Sequence, residues 1–189
     1  MLVSMGFVFF SYLLGSLSTA IITCKLMGLA DPRTQGSSNP GATNVYQLFG
    51  KTPAIITLIG DLLKGLIPVL LASYYGFDIT TLSLVALAAF LGHLYPLFFR
   101  FEGGKGVATA LGVILGLNPL VGLFVVLTWI LVLKLFKLSS LAALVTATVT
   151  PLYFYFVDTP YVYMSFVMSI FLIWRHRSNI KKILDGTED

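Results

Sequence analysis

Two short stretches of this sequence carry most of the residue types that do chemistry. The first is Asp31-Pro32-Arg33-Thr34-Gln35-Gly36-Ser37-Ser38-Asn39-Pro40-Gly41-Ala42-Thr43-Asn44. Turn formers and small hydroxyl and amide side chains dominate it, and Gly36 and Gly41 permit backbone shapes closed to other residues. Such a segment can turn N–H groups toward an anion, although the same composition also describes an ordinary hydrophilic turn. The second is Gly92-His93-Leu94-Tyr95-Pro96 followed by Phe101-Glu102-Gly103-Gly104-Lys105-Gly106-Val107-Ala108-Thr109. Three glycines and a lysine precede an apolar run. The start of a helix has free N–H groups and a positive dipole end and so favours phosphate, to which Lys105 adds a full charge. The Walker A pattern is absent, because its first glycine and the Ser/Thr after the lysine are missing. The competing reading of this stretch is a flexible connector with one topogenic lysine. His93 is either part of the binding set or a histidine that packs between helices and bonds a neighbouring loop.

Two further groups are smaller. Arg175-His176-Arg177-Ser178-Asn179-Ile180-Lys181-Lys182 has the form of a basic flank after a membrane helix. His176 and Asn179 stand out in it, since at i,i+3 they share a face if the helix continues. A histidine there can serve as a general base near neutral pH. Asp61 and Lys64, also i,i+3, fall inside an apolar segment. A charge at mid-bilayer costs roughly 2.5–3.5 kcal/mol on insertion scales, so the spacing predicts an ion pair, either structural or part of a substrate site.

The elements that position these groups are membrane helices. The chain has 189 residues, 57% hydrophobic and only 11% charged, with a mean hydropathy of +0.92. Soluble domains average about 25% charged, so lipid must be much of the solvent. The single cysteine, Cys24, excludes an internal disulfide and a multi-cysteine metal site and reads as an apolar filler. Met1 to Met27 lacks a basic leader and is too long for a signal core, so it is expected to be a retained helix.

Spans of about 20 apolar residues are predicted at Leu2–Leu26, Pro53–Tyr75, Ile79–Phe99, Leu138–Val157 and Pro160–Trp174. Val107–Phe136 would run to about 45 Å as one helix, too long for a bilayer core of about 30 Å. Asn118-Pro119 lies within it, and the residue before a proline disfavours the helical region. Charge selects two spans. With seven spans and the N-terminus outside, Lys25, Arg33, Lys51, Arg100, Lys105, Lys134, Lys137, Arg175, Arg177, Lys181 and Lys182 fall on the cytoplasmic side, and the outer loops around Gly76 and Asp158 receive none. Six spans would move the group from Lys134 onward outside and break the positive-inside rule. The fourth of these spans, Val107–Leu117, is then short, about 16 Å. The fold class expected is all-α: seven transmembrane helices in one integral membrane domain, 1–189, with a cytoplasmic C-terminus. Twelve basic against eight acidic residues give a net +4, which serves topology and anionic lipid or substrate rather than nucleic acid.

At Asp31 to Asn44, Asp61-Leu62-Leu63-Lys64-Gly65, Gly92 to Thr109 and Arg175 to Ile180, the sequence resembles the bacterial acyl-phosphate:glycerol-3-phosphate acyltransferases, the PlsY family. The match covers almost the whole chain in order. The resemblance implies a seven-span enzyme of the bacterial inner membrane, with its active site on the cytoplasmic face. Such an enzyme moves an acyl group from acyl phosphate to the 1-hydroxyl of glycerol 3-phosphate and makes lysophosphatidic acid. It implies no cofactor, no metal, and no direct use of acyl-CoA or acyl carrier protein. Expected partners are glycerol 3-phosphate, acyl phosphate and membrane lipid, with room for a transient contact with the enzyme that makes acyl phosphate. By matching position, Ser37, Asn39, Thr43 and Asn44 belong to the first polar loop of the site, with Arg33 and Gly36 in the same segment. Gly103, Gly104 and Lys105, with His93, belong to the phosphate-binding segment, and His176 and Asn179 to the closing one. Ser37, His176 and Asn179 are the catalytic candidates. Two departures stand out: Ser38 where Gly or Asn is common, and Gln47 where many members carry Arg. No nucleophile–base pair is evident, which suits an already activated donor.

A small transporter of an anionic metabolite is the rival of another class. No inverted repeat of the kind many transporters show is visible. The His-x4-Asp pattern of acyl-CoA-dependent enzymes is absent, since Phe98 and Lys181 occupy that spacing after His93 and His176.

Overall fold

The computed structural model describes residues 2–157 and 159–188, so Asp158, expected in an outer loop, lies outside the described residues. Among the described residues the chain forms α-helices and one 3₁₀ turn and no strand. Among the described residues, four stretches are long and apolar enough to cross a membrane: Lys51–Tyr74, Ile79–Phe99, Pro119–Phe136 and Ser139–Phe156. The chain divides into two compact units, Met1–Leu117 and Asn118–Asp189.

In the first unit, the expected span Leu2–Leu26 is two helices, α1 (Leu2–Gly15) and α2 (Thr19–Leu26), bent by 46°. Taken together they would be a fifth crossing. The break falls at Ser16-Leu17-Ser18, where the Ser16 hydroxyl donates back to the Tyr12 carbonyl at 2.8 Å. Serine back-bonding of this kind bends helices. A second helix not foreseen from composition, α3 (Ala42–Phe49), follows the first polar stretch, with Gly41 as its N-cap. It carries Thr43 and Asn44 in its first turn rather than in a loop. Val45 of α3, fully buried, packs with Ala20, Cys24 and Ala54, and this apolar contact gives the short helix its stability. Cys24 is a buried filler.

The long α4 (Lys51–Tyr74) packs against α6 (Val107–Leu117), and α1 packs against α5 (Ile79–Leu94). The α4–α6 approach is close because both helices present glycine. A methyl group at Gly65 would strike the Thr109 carbonyl, and one at Gly112 the Leu62 carbonyl. Small residues at such a seam let membrane helices approach. α5 begins at Asp78, whose side chain caps Thr81 N–H at 2.7 Å, and stops at Leu94, ahead of Pro96.

Val107–Phe136 is divided where the proline predicts, and the second unit begins there, at Asn118. α6 ends at Leu117, and α7 (Pro119–Phe136) starts with Pro119 in its first turn and the Asn118 side chain accepting from Leu120 and Val121 N–H at 3.0 and 3.1 Å. α8 (Ser139–Phe156) packs between α7 and α9 (Val162–Arg175). Pro151 inside α8 has no N–H for the Ala147 carbonyl. The Ser169 hydroxyl of α9 takes that carbonyl at 2.6 Å. α9 has 14 residues and starts two later than the expected span. A last helix, α10 (Arg177–Leu184), packs on α8 and α9.

Candidate active site

The first polar stretch is organised by Asn44. Its amide nitrogen donates to the Pro32 carbonyl at 2.8 Å and the Gln35 carbonyl at 3.4 Å, and its oxygen accepts from Ser37 N–H at 3.0 Å. Asn44 is 1% exposed, so it acts as the internal support of the loop. Gly36 (φ +58°) turns the backbone over the Asn44 amide, where a side chain would overlap it. Ser38 also lies in the left-handed region, at φ +57°. Glycine and asparagine tolerate that region best, so a serine there is strained. Ser37 is exposed and Asn39 half-buried on the same turn, and Thr43 is exposed on α3. Gln47, one helical turn beyond Thr43, is exposed too, so the pair share a face.

Arg33 ties this loop to the second polar stretch. Its guanidinium pairs with Asp31 at 2.7 Å and with Glu102 at 3.0 Å, and reaches the Phe99 carbonyl at 3.5 Å. Hydrogen bonds from Arg33 hold the Asp31 carboxyl below the usual carboxylate range. The charge of Arg33 is thereby matched by two carboxylates. Its far contact holds the turn at Arg100 and Phe101, two successive non-glycine residues at φ +57° and +60°, a conformation that costs roughly 1–2 kcal/mol each.

The glycine-rich segment leads directly into α6, as its composition predicts. Gly106 (φ +91°) precedes the helix, and its carbonyl accepts the first helical bond, from Ala110 N–H at 2.8 Å. Gly103 and Gly104 are buried and Lys105 is half-buried. Gly104 donates its N–H to the His93 carbonyl at 3.2 Å. A side chain at Gly104 would collide with the His93 imidazole, and one at Gly103 with the His93 and Leu94 carbonyls. The loop is therefore moulded onto the end of α5. The Tyr12 hydroxyl of α1 anchors the adjoining Tyr95 carbonyl at 2.8 Å.

Beneath that loop lies the charged pair inside the membrane helix. Asp61 and Lys64 meet at 2.8 Å and are 3% and 5% exposed. Lys64 also donates to the Leu17 carbonyl at 2.8 Å, one of the carbonyls released by the break between α1 and α2. The Asp61 oxygen that meets Lys64 stands 3.6 Å from His93 Nδ1. Thr109 of α6 donates to the Asp61 carbonyl at 2.9 Å.

The second unit holds the closing pair. α9 ends at Arg175, and His176 forms the joint before α10, so the two residues do not share one continuous helix. The His176 ring is buried, with Nδ1 2.8 Å from the Leu172 carbonyl. A carbonyl only accepts, so Nδ1 carries hydrogen and Nε2 is the basic nitrogen of the neutral ring. Asn179 donates to Glu188 at 2.6 Å. Its side-chain oxygen is buried without a hydrogen-bond partner.

Sequence reasoning did not reach two connections: Glu102 as the second partner of Arg33, and His93 against Asp61. Each joins residues whose charges are visible in sequence but whose meeting depends on helix packing.

These features define a multi-pass α-helical membrane protein with glycine-rich polar segments bordering helix starts. A family model described as glycerol-3-phosphate acyltransferase matches residues 5–186. The chain is 53% identical over 182 residues to the glycerol-3-phosphate acyltransferase of Hydrogenovibrio crunogenus, covering 95% of this chain and 87% of the relative. It is 53% identical over 190 residues to that of Thioalkalivibrio sulfidiphilus, covering 100% and 94%. The fold matches a crystal structure of PlsY (YgiH), an integral membrane glycerol 3-phosphate acyltransferase, in its glycerol 3-phosphate form. That match has a TM-score of 0.94 and 40% identity and covers 98% of this chain and 94% of the other. The lysophosphatidic acid form of the same enzyme matches with a TM-score of 0.92 at 39% identity. The chain belongs to the glycerol-3-phosphate acyltransferase family.

Proposed function

We propose that this protein transfers an acyl group from acyl phosphate to the 1-hydroxyl of glycerol 3-phosphate, releasing lysophosphatidic acid and phosphate, the first acylation of phospholipid synthesis. The observation that carries the reading is the Gly103-Gly104-Lys105 segment, moulded onto His93 and opening α6. Backbone N–H groups at a helix start together with an ammonium suit a phosphate. The hydroxyl oxygen attacks the acyl carbonyl carbon, the carbon–oxygen bond to phosphate breaks, and phosphate leaves with the bonding electrons. The donor is already activated, so no acyl-enzyme is required. Positioning and preorganised donors supply the rate.

Lys105 binds phosphate in this reading, on the segment formed by Gly103 and Gly104, where Gly104 fixes the backbone by giving its N–H to the His93 carbonyl. Ser37, Asn39 and Thr43 hold glycerol 3-phosphate or the developing oxyanion, with Gly36 and Asn44 shaping their loop. Arg33, braced by Asp31 and Glu102, stands with Lys105 as a cation assigned to substrate phosphate. His93 supports the phosphate segment. His176 Nε2 is the candidate base, and the orphaned Asn179 oxygen orients a substrate hydroxyl. The chain works as one integral membrane domain of seven spans in the bacterial inner membrane, N-terminus outside, site and C-terminus cytoplasmic. The one-sided placement of its cations supports that topology. The acyl chain stays in lipid, and a transient contact with the enzyme that makes acyl phosphate shortens the donor's path.

The test is the purified protein with acyl phosphate and glycerol 3-phosphate. Formation of lysophosphatidic acid, with none from acyl-CoA, is expected; turnover of acyl-CoA alone would overturn the donor assignment. Lys105→Ala should lower kcat/KM about 30-fold, the equivalent of about 2 kcal/mol for one charge-assisted hydrogen bond. His176→Ala should lose the limb of the pH–rate profile that reports the base. A profile of unchanged shape would assign the proton to a substrate phosphate instead.

A further inference from the structure

Lys64 and Asp61 have an obvious structural use: each makes the other tolerable inside an apolar helix. The structure around them is more specific than that use requires. Asp61 has its carboxylate against both Lys64, at 2.8 Å, and His93, at 3.6 Å. His93 sits in the last turn of α5, its carbonyl holding Gly104 N–H at 3.2 Å and its ring filling the space that a side chain on Gly104 would need. Lys105 is the next residue. The carboxylate is thus two contacts away from the Gly104 backbone that carries Lys105, along a path of buried groups. On the other side, Lys64 is fixed by the Leu17 carbonyl, so the pair cannot shift along α4 without breaking the α1–α2 joint.

We infer that Asp61, held by Lys64, is a positioning residue for the reaction: it orients the His93 imidazole, and His93 in turn sets the Gly103-Gly104-Lys105 phosphate segment. The inference rests on the acyl-transfer reading above. A displacement of a binding group by about 1 Å is enough to cost on the order of 100-fold in rate, so a support of this kind registers in the kinetics even though it touches no substrate. A pair that only neutralises charge would have no such effect once both charges are removed. Replacing both members of a buried pair by uncharged groups is often neutral for folding, whereas removing one is not.

The experiment compares wild type with Asp61→Asn/Lys64→Met, with His93→Asn, and with the triple variant, all purified in detergent. Thermal unfolding and gel filtration establish the fold, and KM and kcat are measured for both phosphorylated substrates. The double variant is expected to fold like wild type but to show about a tenfold higher KM for acyl phosphate or for glycerol 3-phosphate. His93→Asn, which keeps the ion pair, should show the same rise, and the triple variant little more than either. A double variant with wild-type fold and wild-type KM overturns the inference, as does a wild-type KM for His93→Asn. Fully additive effects in the triple variant overturn it too, because Asp61 would then not act through His93. Should the double variant fail to accumulate, His93→Asn decides alone. Absence of turnover by the wild-type protein would instead sink the acyl-transfer reading, and is distinguishable because no variant is needed to see it.

Discussion

The two units satisfy buried polar groups by different means. In the first, ions share the task with hydroxyls such as Tyr12 and Thr109: Lys64 lies buried between Asp61 and the Leu17 carbonyl, and the half-buried Arg33 joins Asp31 to the exposed Glu102. In the second, neutral hydroxyls do it. Ser169 takes the carbonyl that Pro151 leaves open, Thr128 and Tyr153 pair at 2.6 Å, and Thr150 bonds back to Thr146 at 2.7 Å. Neutral hydroxyls suffice to join helices and carry little penalty if they are lost. Charges inside a membrane helix are expensive and mark function by default. In this chain they collect beneath and beside the glycine-rich segments. The difference separates a unit built to hold a polar loop in shape from one held mainly by helix packing, with His176 and Asn179 at its end.

The sharpest way to break that comparison is to remove one member from each kind of contact. Asp61→Asn alone leaves Lys64 as an uncompensated buried charge and should destabilise the protein by about 3–5 kcal/mol. That loss would be seen as reduced folded yield and early thermal unfolding in detergent. Ser169→Ala should cost only about 0.6 kcal/mol, the average for hydroxyl bonds between membrane helices. Equal losses from the two would remove the distinction.

A smaller effect concerns α3. Gln47 shares an exposed face with Thr43, at the position where the resemblance leads one to expect arginine. Gln47→Arg should lower KM for a phosphorylated substrate about threefold, within the range of one exposed ion pair. A higher KM would show that this face turns away from substrate.

The smallest effect is the brace at Arg33. The folded Asp31 carboxyl titrates below its unfolded value of about 3.9, because Arg33 hydrogen bonds favour its charged form. Its contribution is therefore complete above the unfolded value and is lost as pH falls through the lower folded value. Thermal unfolding followed downward from pH 7 should show wild type approaching Asp31→Asn once the pH falls below the lowered folded value. The gap at neutral pH should be about 1 kcal/mol or less, as the pair is partly exposed. A gap that persists unchanged in acid would mean that the contact is not ionic.

Much of this was legible in the sequence because it is local. Hydropathy located the apolar helices, Asn118-Pro119 the division of Val107–Phe136, and the glycines before Val107 the start of α6. The i,i+3 spacing placed Asp61 and Lys64 together. These follow from backbone geometry within a few residues and from the missing N–H of proline. Ser38 at positive φ is the same kind of fact, visible in sequence only as a departure from the usual glycine or asparagine.

What the tertiary structure alone decided is where distant partners meet. The break at Ser16–Ser18 has no proline to announce it; it is held by a lysine 47 residues away. Nothing in the sequence shows that Arg33 is shared by two carboxylates, one of them 69 residues away. α3 looks like loop until Val45 finds the pocket lined by Ala20, Cys24 and Ala54. Periodicity and composition record which face of a helix is apolar and which residues carry charge. They do not record which helix lies opposite, and that choice alone brings Asp61, Lys64 and His93 together as one buried cluster beside the glycine-rich segment.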